Sequence, residues 1–99
     1  MASEVTIDGE KYRKVAAPSE VRIVILQRGW VMVGRWSQDG ETVTLDDARV
    51  IRRWGTTKGL GELRSGPKPQ TTLDPAGRVQ FHILTMVASL DAEAAGWSL

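Results

Sequence analysis

The sequence predicts a small, mainly β domain: a strongly curved antiparallel sheet or barrel of five or six strands, with an N-terminal hairpin and one or two short helical segments. Three observations carry that expectation. From Val21 to Trp54 the chain alternates β-rich runs with tight-turn pairs, at Arg28-Gly29 and Asp39-Gly40. Gly34 stands inside one of those runs, where glycine marks a bulge, a sharp bend or the close approach of another backbone. The chain has 99 residues, enough for one domain with a modest core.

The elements follow in order. Residues 1–17 read as the hairpin, with Val5 and Ile7 before Asp8-Gly9 and Tyr12 after it, because Asp-Gly tolerates positive φ at both central turn positions. Pro18 and Ser19 break the pattern. In the meander 21–54, Val21–Gln27 has five apolar residues in seven, a pattern suited to a strand buried along most of its length. Alternation puts Trp30, Met32, Gly34 and Trp36 on one face of the next strand and Val31, Val33 and Arg35 on the other. Thr42–Leu45 and Arg49–Trp54 continue the meander across a turn or bulge at Asp46-Asp47. Residues 55–78 hold a short helix starting near Thr56 or Thr57, then a Pro/Gly loop from Ser65 to Gly77. Residues 79–97 give one long last strand, Val79 to Ala88, and a short helix capped by Asp91 and stopped by Gly96.

Composition narrows the function classes. A net charge of +1 supplies no global field for nucleic acid or anionic membrane, so anion affinity must come from local clustering. The absence of cysteine removes disulfides, thiolate nucleophiles and thiolate metal sites, and suits a reducing cytoplasm. No apolar run is long enough to span a bilayer, and the first residues hold no apolar signal core.

The residues give no enzymatic constellation and imply no cofactor. His82 is the only histidine and has no second ligand to share a zinc ion. Asp46 and Asp47 are adjacent on a strand, so they point apart and read better as turn chemistry than as an acid/base pair. Serines 19, 37, 65, 89 and 98 lack a nucleophile elbow. Two segments remain. Gly55 to Gly61 follows a strand and opens the expected helix, whose free N–H groups and Lys58 would favour an anion, although the spacing is not that of a phosphate-binding loop. Arg49, Arg52, Arg53 and Trp54, with Arg35 and Trp36, offer guanidinium forks for phosphate and indole faces for a base. The alternative is a solvated outer face whose arginine stems cover tryptophan. The residues expected to meet a phosphate-bearing ligand are Arg35, Arg53, Trp54, Thr57 and Lys58.

The run Gly29 to Gly34, then Ala48, Arg49, Ile51 and Trp54, then Gly55 with Leu60 and Leu63, resembles a family of small phage-encoded proteins classed as a domain of unknown function. The match covers about Lys11 to Trp97; the loop from Pro67 to Pro75 is longer than the family pattern, and an Ile-Pro-Cys usual before the tail is absent. The resemblance transfers no catalytic residue. By analogy with phage counter-defence proteins, it implies a non-enzymatic protein in the bacterial host cytoplasm that sequesters a small nucleotide-like immune signal. A structural or protein-interaction module, such as a host-protein inhibitor or a virion accessory protein, is the alternative. With four tryptophans in so small a core, homo-oligomerisation is expected as well.

Overall fold

The computed structural model describes residues 20–99, so the expected hairpin at 1–17 lies outside the described residues. Five strands, β1 (Glu20–Leu26), β2 (Val31–Asp39), β3 (Thr42–Arg53), β4 (Thr72–His82) and β5 (Met86–Asp91), form one antiparallel sheet in the order β4-β3-β2-β1-β5. The mainly β expectation holds. Among the described residues the sheet is open and no closed barrel forms: β4 and β5 are its two edges and share no ladder. Only Ile83–Thr85, a 3₁₀ turn, separates those edges in sequence. Five flat strands would set the edges roughly 19 Å apart, whereas the chain from His82 to Met86 reaches only about 14 Å. The sheet must curl to be joined this way.

Local chemistry fixes the turns. Arg28 and Gly29 both take positive φ, 68° and 80°, between β1 and β2. Between β2 and β3, Asp39 pairs with Thr42, so the two loop residues are Gly40 and Glu41, one place later than Asp39-Gly40. Gly40 has φ 60°, which fits the turn type that wants glycine at its first central position. Thr42–Leu45 and Arg49–Arg53 belong to one long strand, interrupted by the bulge anticipated at Asp46-Asp47. Opposite Gly34, between the Val33–Arg49 and Arg35–Asp46 pairs, β3 inserts an additional residue, and Asp47 has φ 52°. A Cβ on Gly34 would lie 3.1 Å from the Asp46 carbonyl oxygen and 3.2 Å from Ala48 Cα, so the glycine is there for the close approach of the bulged strand.

Three expectations are corrected after Trp54. About half of Ser65–Gly77 is not loop: β4 starts at Thr72 and carries Pro75, tolerated because β4 is an edge strand of the described sheet. Val79 to Ala88 is not one strand but the end of β4, the 3₁₀ turn and the start of β5. Polar contacts account for the break: the His82 imidazole accepts from the Leu84 N–H, and Ile83 N–H donates to the Glu41 carbonyl. The expected helix at Thr56 or Thr57 is instead a 3₁₀ segment over Leu60–Ser65.

The sheet is apolar on both faces. On one, Val21, Ile23, Val31, Val33 and Ile51 pack against Leu60 and Leu63 of the 3₁₀ segment and Trp97 of the terminal helix α1 (Ala94–Trp97). On the other, curling gathers Val24, Leu26, Met32, Leu45 and Ala48, with Trp36 and Phe81 edge to face at 6.5 Å. The terminal helix departs from its expected caps: Asp91 lies in β5, α1 starts after Glu93, and Gly96 sits inside it. A Cβ on Gly96 would stand 1.9 Å from the Ser65 carbonyl oxygen, so this glycine lets two backbones touch and does not stop the helix. The left-handed residue after α1 is Ser98, at φ 58° and ψ 42°. Among the described residues, no helix is long and apolar enough to cross a membrane.

Candidate functional site

The arginine positions follow from register. Val33 faces Arg49 across the β2–β3 ladder, and Arg35 lies two residues further along the same face of β2. Alternation therefore brings Arg35 and Arg49 to one side as diagonal neighbours. They line a cavity of about 500 Å³ with Asp47, Ala48, Pro75, Gly77, Ser98 and Leu99. Its floor is the bulged stretch of β3, one wall is β4, and the residues after α1 form the other.

The groups in this cavity are held but not saturated. Arg35 donates to the Asp47 carboxylate in a half-exposed ion pair. Arg49 spans to the tail, donating from Nη1 to the Trp97 carbonyl at 2.8 Å. Next to them, Arg78 Nε donates to Asp46 Oδ1 at 2.7 Å, so the two adjacent aspartates are taken by two different arginines. Asp46-Asp47 forms a bulge, as the sequence suggested. A guanidinium carries more donors than either Arg35 or Arg49 spends on these partners, and two such groups in one concave site are suited to an oxyanion.

The five residues expected to act together are not brought together. Arg35 pairs opposite Asp46, seven positions before Arg53 on β3, which is roughly 20 Å along a strand. Arg53 and Trp54 lie at the far end of β3, where the Trp54 carbonyl accepts from Thr71 Oγ1 at 2.6 Å. Thr57 and Lys58 follow nearby in sequence, but their N–H groups already donate to the Glu62 carboxylate, at 3.3 and 2.8 Å. The chain's own carboxylate sits where the anion was expected. Of the other cluster arginines, Arg52 pairs with Asp74 at 3.3 Å. On the opposite face, Arg22 lies over the Trp36 ring at 5.4 Å and donates to Ser89 Oγ.

What sequence reasoning missed is Arg49 as the partner of Arg35, together with Asp47 and Ser98. Alternation alone pairs positions correctly only up to the bulge, and the additional residue at Asp47 resets which β3 side chains share the Arg35 face. A second surface is apolar: Leu26, Trp30, Met32, Val50, Ala76, Val79, Gln80 and Phe81 line a groove of about 330 Å³ beside Trp30, which is 54% exposed. Of the four tryptophans, Trp30 and Trp54 are exposed, Trp36 is half-buried and Trp97 is buried. Among the described residues no group of three His, Asp or Glu side chains comes together to hold a metal. The chain matches no family model and no curated protein.

Proposed function

We propose that this chain is a non-enzymatic binding protein that sequesters a small phosphate-bearing, nucleotide-like ligand, and that the ligand's anionic group sits in the Arg35/Arg49 cavity. The observation that carries the reading is the convergence of two incompletely used guanidiniums on one concave site of suitable size. The residues at the end of β3 contribute little to it, since Glu62 already occupies the Thr57 and Lys58 amides. On the phage resemblance, the ligand would be a host immune signal and the setting the host cytoplasm.

The test is ligand binding by titration calorimetry against a panel of phosphorylated nucleotides. Arg35→Ala removes a charge-assisted contact, so binding should weaken by about 1.5–3 kcal/mol, on the order of 10- to 150-fold. The double variant Arg53→Ala/Lys58→Ala should leave affinity unchanged. Loss of binding in that variant with retention in Arg35→Ala would move the site back to the end of β3 and refute the cavity assignment.

A second reading, a protein-interaction module, is favoured by Trp30. A largely exposed indole beside an apolar groove is the composition found at the centre of protein interfaces. In that reading the partner is a host or virion protein, and Trp30→Ala, rather than Arg35→Ala, abolishes its function.

A further inference from the structure

We infer that the Arg35/Arg49 cavity recognises a phosphorylated sugar, taking the sugar hydroxyls on Asp47 and the phosphate on the two arginines, with any base left outside. The inference rests on the binding reading above and names the part of the ligand that the cavity reads. Its ground is the chemistry of the lining. Arg35 and Asp47 are joined in an ion pair, yet each keeps capacity: the guanidinium has further donors and the carboxylate further acceptors. A donor-rich group and an acceptor-only group side by side complement a molecule that carries an oxyanion and hydroxyls a few ångströms apart. Inorganic phosphate would use only the first of them.

Two further features fit. Asp47 takes positive φ at the bulge, so its carboxylate is presented from within a strand rather than from a loop. Ser98, also left-handed and tied by its N–H to the Ala95 carbonyl, adds a hydroxyl that donates or accepts on the opposite wall. The remaining lining, Ala48, Pro75, Gly77 and Leu99, is small or aliphatic and holds no aromatic ring, so a nucleobase finds no stacking partner inside. Trp97, the nearest indole in sequence, is buried in the core beneath.

Titration of the whole chain at low salt, followed by amide chemical shifts, tests this with inorganic phosphate, ribose 5-phosphate, 2-deoxyribose 5-phosphate and adenosine as probes. Ribose 5-phosphate should bind about tenfold tighter than inorganic phosphate, the size of one hydrogen bond to a charged acceptor. The deoxy sugar should fall between them, adenosine should not bind, and the shifts should centre on residues 35, 47–49, 77 and 98. Asp47→Asn should erase the preference for the sugar while phosphate itself binds at least as well. Equal affinity for phosphate and ribose 5-phosphate, or a preference that survives Asp47→Asn, would overturn the inference and leave the anion site standing. No saturable shift with any of the three phosphate compounds up to millimolar concentration would overturn both.

Discussion

Gly34 shows how much one residue can decide. It is the position where β2 yields to the bulge of β3, and the bulge sets both the Asp47 carboxylate and the face on which Arg49 emerges. Gly34→Val would push a branched side chain against Leu45 Cβ at 3.1 Å and the backbone of Ala48. Overpacking of this kind costs about 1–3 kcal/mol, which lowers the melting temperature by roughly 4–8 °C per kcal/mol in a domain of this size. Calorimetric melting checks the stability, and weakened phosphate binding beyond the global loss checks the link to the site. An unchanged melting temperature would mean that the strands separate freely there. Gly34 was legible in the sequence as a place of close approach; Arg49 was not legible as the partner of Arg35. The identity of a glycine records a steric demand at its own position, whereas the pairing of two arginines depends on a register that an inserted residue alters.

At the scale of elements, the 3₁₀ segment and α1 act as one cover over the sheet. Trp97 is 1% exposed, and its indole N–H donates to the Leu63 carbonyl at 2.8 Å. Glu93 N–H donates to the Arg64 carbonyl and Arg64 Nε donates to the Asp91 carbonyl, so the two segments are stitched from both sides. Gly96→Ala places a methyl 1.9 Å from the Ser65 carbonyl and forces them apart. We expect a loss of about 2 kcal/mol or more, from the displaced packing of a large buried side chain. Hydrogen exchange should rise first at residues 60–66 and 93–99, with β2 and β3 still protected; uniform loss of protection would show that the cover has no independent cooperativity. The strands of the meander were readable because turn pairs and apolar runs are local signals. The division of Val79–Ala88 into two strands on opposite edges was not, since the local turn at His82 is fixed in place by contacts to Glu41, some forty residues earlier.

At the scale of the whole molecule, the described residues expose apolar surface. Trp30 and Trp54 are accompanied by Leu84 and Val87 as exposed large hydrophobic residues, and the described residues extend over 47 × 28 × 20 Å. Exposed aromatics on a small domain are a common mark of association. Sedimentation equilibrium at micromolar concentration should therefore give a mass above the 10.9 kDa of one chain, and Trp30→Ala should lower it while changing stability by less than about 0.5 kcal/mol. A monomer under these conditions would exclude self-association as the role of Trp30. The open sheet bears on the same point: a curled sheet with two edges brought close is what the strand lengths and turns dictate, and whether it closes depends on pairings that turn chemistry does not encode.

The strand order also sets a timetable for synthesis. Ile23 on β1 pairs with Leu90 on β5, 67 positions later, while each of the other ladders among the described residues joins neighbours in the chain. At about 5–20 residues per second, β1 leaves the ribosome roughly 3–13 s before its outer partner exists. During that interval the segment EVRIVIL has β2 on one side and nothing from β5 on the other. An apolar edge that still awaits its native strand is a template for the wrong neighbour. Polysomes that carry several copies of this nascent chain place such neighbours close at hand, so the yield of native protein depends on how quickly the last strand is delivered.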